Sequence, residues 1–310
     1  MQAATGTGKY ERLLERCKAL APVPTAVAHP CEVTALLGAV EAAARGLIVP
    51  VLVGPVDKIA EVAVSNDLDL GDLEVIDVPH SHAAAAKAVE LVRQGVCEIL
   101  MKGSLHTDEL MSAVIARDRG LRTARRISHV FVMDVPTYHK VLIVTDGAIN
   151  IAPTLEDKVD ICQNAIDLGI SLGLEKPKVA ILAAVETVTT RMPATIDAAA
   201  LCKMAERGQI TGGILDGPLA FDNAISREAA ATKGIKSAVA GDPDILLAPD
   251  LEAGNILAKQ LTFTANADSA GLVLGARVPV ILTSRADSVR ARIASCGVAM
   301  LVAHARRSQL

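Results

Sequence analysis

The chain has 310 residues, enough at about 150 per domain for two domains with full cores. Lysine and arginine total 31 against 35 aspartates and glutamates, a net charge of −4, and the chain has two tyrosines, three phenylalanines and no tryptophan. That balance argues against the basic surface and stacking aromatics of a nucleic-acid binder, and no run reaches the roughly 18 uninterrupted apolar residues of a membrane helix.

In chain order, the opening MQAATGTGKYERLLERCKAL carries no apolar core of a signal peptide. Within it GTGKY (6–10) lacks the spacing of a phosphate loop, with Ala3 and Tyr10 at two key positions, and reads as a frayed, solvated end. Continuous apolar runs then predict strands at 25–28, 49–54, 73–78, 97–103, 129–135, 140–147, 178–185, 211–217, 244–249 and 278–284. Runs that do not alternate belong to strands covered on both faces. Between them, segments such as 32–46 and 81–95 have helix-forming composition and end in glycine. The alternation of strand and helix predicts an α/β fold: two domains with mainly parallel sheets flanked by helices. Six cysteines without C-x-x-C spacing suit reduced thiols in the cytoplasm and no zinc site.

Turn-forming residues at 145–158 and 267–279 mark two joints. The first domain is therefore expected to be discontinuous, 1–146 plus 272–310, with 147–271 forming the second. Open α/β sheets bind ligands beyond the carboxyl ends of strands, so the strand-ending motifs are the candidate sites.

His80 and His82, at a strand-to-helix turn, lack a third ligand at useful spacing, and Ser81 there suits a helix cap; no metal is expected. MKGSLHTDEL (101–110) ends a strand at Lys102-Gly103, and a turn with Ser104, His106 and Thr107 opens a helix. A cation, free helix N–H groups and hydroxyls make an anion site; the plain alternative is a capped helix with Lys102 extending to solvent. DGPLAFDNAI (216–225) combines a strand end, a Gly-Pro turn and two carboxylates, Asp216 and Asp222, around one loop, with Asp222 also suited to an N-cap. Gly254 and Asn255 stand where a backbone can approach a ligand. In TSRADS (283–288), Ser284 beside Arg285 can bind a phosphoryl or acyl-phosphate oxygen; the alternative is a cap with an exposed arginine.

Together and in this order, MKGSLHTDEL, GLRTARRISHVFVMDVP, VTDGAINIAPTLEDK, KVAILAAVE, DGPLAFDNAI, APDLEAGNILAK and VILTSRADS resemble the phosphate acetyl/butyryltransferase family, with 26–54 fitting its opening. The resemblance implies a two-domain fold like that of isocitrate and isopropylmalate dehydrogenases, with the active site in a cleft between domains. It implies reversible acyl transfer between coenzyme A and phosphate, acetyl first and butyryl or propionyl as alternatives, in a cytoplasmic homodimer. Coenzyme A enters as a substrate, no tightly bound cofactor is implied, and neither nucleic acid nor membrane is a partner. Ser284 and Arg285 take the catalytic positions; Lys102, Gly103, His106, Thr107, Asp222, Asn223, Gly254, Asn255 and Asp287 fall in substrate-binding motifs. Two departures stand out. Ala291 occupies the place, seven residues after Ser284, where some members carry an aspartate proposed as the thiol's base, and Ser112 stands where members often carry an arginine. Arg117, Arg119, Arg122 and Arg125 are nearby candidates for the latter role. The missing aspartate motivates one further alternative, a non-catalytic coenzyme A-binding regulatory module.

Overall fold

The computed structural model describes residues 8–308. The chain begins with α1 (Lys9–Cys17), β1 (Val23–Ala28), α2 (Val33–Ala44), β2 (Ile48–Gly54), α3 (Val56–Ser65), β3 (Glu74–Asp77), α4 (Ser81–Arg93), β4 (Ile99–Lys102) and α5 (Thr107–Ile115). It continues through β5 (Ser128–Asp134), β6 (Leu142–Thr145), α6 (Leu155–Ser171), β7 (Lys178–Leu182), α7 (Pro193–Glu206), β8 (Ile214–Leu219), α8 (Phe221–Ile225), α9 (Arg227–Thr232), β9 (Ile245–Leu247) and α10 (Leu251–Thr264). It ends with β10 (Asp268–Leu274), β11 (Val280–Ile281) and α11 (Val289–Arg307).

Two compact units result. One holds Tyr10–Arg125 and the chain from Ser269 onward; the other holds Arg126–Asp268, with Lys9. The division at 125/126 differs from the expected 146/147 because β5 pairs with β6 and β6 with β9, which draws both strands into the second unit.

In the first unit the strand order is β3-β2-β1-β4-β11-β10. All neighbours through β11 are parallel; β10 runs antiparallel to β11. The strand β10 lies in the segment read from sequence as a joint: its small residues Ser269, Ala270 and Gly271 hide a buried strand behind turn-like composition. Buried Val27, Leu52, Ile99 and Leu100 fill the sheet's interior, each contributing about 1.5–3 kcal/mol by leaving water. Helix α2 packs on α11, and α4 on β1 and β2. Gly46 and Gly95, past the ends of α2 and α4, take φ of 69° and 76°, the left-handed conformation that ends helices.

In the second unit the order is β5-β6-β9-β7-β8, parallel except for β5 and β6. Pro218 is tolerated because β8 is the last strand, where a missing N–H breaks no ladder. Val144, Ala180, Leu219 and Leu246 belong to one buried cluster.

Three local expectations are corrected. Lys9 is not a solvated end: it is 4% exposed, pairs with Asp134 at 3.0 Å and donates to the carbonyls of Val135 and Tyr138; Gly6 and Thr7 of the same motif lie outside the described residues. The cap of α4 is His80, whose Nδ1 accepts from Ala83 N–H at 3.2 Å, and not Ser81. Asp222 lies inside the first turn of α8, whose N-cap is Ala220.

Candidate active site

In the first unit β1, β4 and β11 are parallel neighbours, so their carboxyl ends share one edge. Register pairs Ala28 with Lys102 and Ile281 with Met101. The residues that follow, His29, Gly103 and Thr283–Ser284, therefore gather where the strands stop. A side chain on Gly103 would collide with the His29 carbonyl at 2.5 Å, so only glycine lets β4 leave the sheet this close to β1.

Lys102 is 2% exposed, and its Nζ donates to the main-chain oxygens of Gly103 and Thr283, each at 3.4 Å. Burial pushes its ammonium down to about 8, and the nearby Arg292 and Arg285 guanidiniums add to the effect. Arg285 Nε donates to Ser104 O at 3.2 Å. Arg292, buried in α11, donates from Nη1 to Thr283 Oγ1 at 2.7 Å and from Nη2 to Ser284 O at 3.1 Å. Three cations thus surround the Thr283–Ser284 turn.

Ser284 is exposed. Its N–H donates to Asp287 Oδ2 at 2.6 Å, and its Oγ accepts from Ala286 N–H at 3.3 Å. Asp287 closes that turn. His106 and Thr107 lie exposed at the start of α5, where Glu109 Oε1 accepts from His106 N–H at 3.4 Å. The structure brings Lys102, Gly103, Ser284, Arg285 and Asp287 into one contact network.

The remaining sequence-predicted residues belong to the second unit. The close approach that Gly254 permits is to the main-chain oxygen of Asp146. Asn255 Nδ2 donates to Gly147 O at 2.8 Å. The Asp146 carboxylate accepts from the N–H groups of Ala148, Ile149 and Asn150. Gly254 and Asn255 therefore brace the 146–150 turn. Asp222 and Asn223 form a separate group: Lys233 Nζ bridges Glu186 at 3.1 Å and Asp222 at 3.3 Å, and Asn223 Nδ2 donates to Glu186 at 3.3 Å. The Asn223 N–H and the Lys233 ammonium hold the Asp222 carboxyl below its ordinary range. An apolar cavity of about 510 Å³ lies at the ends of β7 and β9, lined by Leu182, Ala183, Phe221, Ala253 and Leu257.

A family model described as "Phosphate acetyl/butaryl transferase" matches residues 80–300, more than half of the chain. The chain belongs to the phosphate acetyl/butyryl transferase family. It is accordingly a phosphate acyltransferase. It is 67% identical over 300 residues to a phosphate acetyltransferase of Rhizobium meliloti, covering 97% of this chain and 95% of that protein. It is 42% identical to a phosphate butyryltransferase of Clostridium acetobutylicum, covering 85% of this chain and 87% of that one. Among solved structures, a branched-chain phosphotransacylase from Enterococcus faecalis superposes with a TM-score of 0.79 at 30% identity, covering 91% of this chain and 99% of that one.

Within this phosphate acyltransferase, sequence reasoning missed His29 and Arg292, and read Ser104 only as a turn hydroxyl of the anion site. Ser104 accepts from Arg285 through its carbonyl and from Cys31 N–H at its hydroxyl, which lies 3.2 Å from His29 Nδ1. Arg292 had one local signal: it directly precedes the largely apolar stretch 293–303 of α11. Of the arginines singled out, Arg117, Arg119 and Arg122 are exposed, and Arg125 donates its main-chain N–H to Thr123 Oγ1. Arg126 is instead held by Asn150 at 2.8 Å and Asp157 at 3.1 Å.

Proposed function

We propose that this phosphate acyltransferase carries an acetyl group between coenzyme A and inorganic phosphate, acetyl-CoA plus phosphate giving acetyl phosphate plus CoA, with the Ser284–Arg285 turn at the reacting centre. The observation that carries the site is the gathering of Lys102, Arg285 and Arg292 around Thr283–Ser284 at parallel strand ends. Phosphate as nucleophile or leaving group needs cations, and a preorganised cluster supplies them without rearrangement during the reaction.

In the direction of thioester synthesis the CoA sulfur attacks the acyl carbon directly. The exposed Ser284 hydroxyl hydrogen-bonds the developing carbonyl oxyanion, and Arg285, placed by its bond to Ser104, holds phosphate or CoA. Thr107 offers a helix N–H group to a phosphate oxygen, with the exposed His106 side chain beside it, and Asp287 fixes the Ser284 main chain. Asp222, Asn223, Gly254 and Asn255 are assigned to substrate binding. The 67% identity to a phosphate acetyltransferase favours the acetyl group over the butyryl named for a 42% relative.

The reading includes a homodimer, a cytoplasmic location and no tightly bound cofactor. Among the described residues no helix is long and apolar enough to cross a membrane.

The test is thioester formation from CoA with acetyl phosphate and, separately, butyryl phosphate, followed by ultraviolet absorbance. A higher kcat/KM with acetyl phosphate is expected. Preference for butyryl phosphate would reassign the acyl group, and silence with both would remove the activity.

A further inference from the structure

His29 follows the last residue of β1, and the pairing of Ala28 with Lys102 puts it beside Gly103 and Ser104. Ser104 N–H donates to His29 O at 2.9 Å, and Arg285 Nε donates to Ser104 O at 3.2 Å. One residue, Ser104, thus connects the imidazole to the arginine next to Ser284. The His29 backbone has φ of 55°, a left-handed conformation uncommon outside glycine, of the kind that concentrates at functional sites.

The hydrogen bonds of Ser104 determine which ring nitrogen of His29 carries the proton. The Ser104 hydroxyl has one hydrogen, donated to His29 O at 2.7 Å, and it accepts from Cys31 N–H at 3.2 Å. Its remaining lone pair faces His29 Nδ1 at 3.2 Å. With the hydroxyl hydrogen already used, only an Nδ1–H completes that contact, so Nε2 carries the lone pair. The side chain is half-buried. Around it stand Lys58 of α3, Glu109 of α5 and Glu32 just before α2. Burial and Lys58 lower its pKa below the ordinary 6.5, against the opposing pull of the two glutamates, so the ring is neutral at neutral pH.

We propose that His29 is the base that removes the thiol proton of coenzyme A, an inference that rests on the acyl-transfer reading above. Position 291 is alanine, Asp287 is engaged by the Ser284 N–H, and Lys102, Arg285 and Arg292 are cations. In the step, His29 Nε2 takes the S–H proton as sulfur forms its bond to the acyl carbon. The bond from that carbon to the phosphate oxygen breaks, and its electron pair leaves on phosphate. The imidazolium then returns the proton to phosphate, so CoA thiol and acetyl phosphate yield acetyl-CoA and hydrogen phosphate.

The experiment measures kcat/KM for CoA against pH, with saturating acetyl phosphate, for wild type, His29→Gln and Ser104→Ala. Wild type is expected to lose activity on the acid side with a midpoint below 6.5. His29→Gln is expected to lack that limb and to fall roughly 10²-fold at neutral pH. Its deficit narrows as pH passes the thiol's own pKa of about 8.5, where the thiolate forms unaided. Ser104→Ala keeps the imidazole and the carbonyl that Arg285 uses, but frees the ring tautomer. It is expected to move the acid limb and lower the rate by a smaller factor, and it serves as the test should the glutamine variant not fold. A wild-type acid limb and rate in His29→Gln, or in Ser104→Ala if that is the variant available, overturns the assignment. A wild-type enzyme that makes no thioester removes the acyl-transfer reading itself, whereas an active wild type beside an indifferent variant removes only His29.

Discussion

Arg292 donates to Ser284 O at 3.1 Å and to Thr283 Oγ1 at 2.7 Å from a side chain 1% exposed. Gly38 of α2 makes the room: a Cβ there would meet Arg292 Cδ at 2.8 Å. A buried guanidinium is tolerable only when hydrogen-bonded, and here its bonds fix the turn that presents Ser284. Replacing Arg292 with glutamine should cost about 2–4 kcal/mol, read from the urea midpoint, and lower kcat. Arg292→Lys, which keeps the charge without the fork, should recover only part of both. A glutamine variant with wild-type stability and kcat would mean that the turn is held by other contacts.

Gly103→Ala should be costlier than its chemistry suggests. The added carbon would press on the main-chain carbonyls of Ala28 and His29, with the His29 carbonyl carbon at 2.6 Å, and backbone in a parallel sheet cannot swing aside. A loss above about 3 kcal/mol is expected, together with lost activity, as β4 is displaced from β1. Gly95→Ala is the control: it has φ of 76° but nothing within 4 Å, so it should cost about 1 kcal/mol. Equal losses in the two variants would mean that the strand end relaxes freely.

The strands and their ends were legible because buried parallel strands are written as continuous apolar runs; Lys102, Gly103 and Ser284 were found by reading where such runs stop. What escaped was set by register and not by local pattern. His29 meets Ser104 because β1 pairs with β4 as Ala28 opposite Lys102, a relationship that no periodicity near residue 29 encodes. The strand β10 escaped because Gly271 and its small neighbours lack the β-branched signature. Asp222 is engaged by Lys233, a partner on the α9 side of the loop, and its motif gave no sign of that ion pair.

Ser284 and Arg285 are adjacent, yet their variants should differ in kinetics. The Ser284 hydroxyl faces solvent and acts on charge that develops only in the transition state, so Ser284→Ala should lower kcat about 10²-fold with little change in KM. Arg285→Gln should instead raise KM for phosphate or CoA, because a bound anion meets the cation before any bond changes. Initial-rate kinetics with each substrate varied in turn separate the two. A rise in KM alone for Ser284→Ala would make that serine a binding residue, and unchanged KM values for Arg285→Gln would remove the arginine from the site.

Lys102 gives a stability signature with a definite sign. Unfolded, its ammonium titrates at the ordinary 10.5; folded, burial first and then Arg292 and Arg285 bring it down to about 8. Between those values the unfolded chain binds more protons, so the Lys102 contribution to stability rises with pH, and below 8 it is a constant penalty of about 3 kcal/mol. The thiols of Cys17, Cys31 and Cys97, each pushed up by desolvation to about 11, act oppositely: unfolded thiols ionise first, and stability falls as pH climbs past their ordinary value. The total curve therefore mixes the two effects, and the difference between wild type and Lys102→Met isolates the lysine. By urea denaturation the methionine variant should be the more stable near pH 7, with that advantage shrinking toward pH 10, about where the folded wild type has shed its buried proton. A difference that stays constant over that range would mean the ammonium is solvated or paired in the folded protein, and Lys102 would no longer count among the desolvated cations facing phosphate.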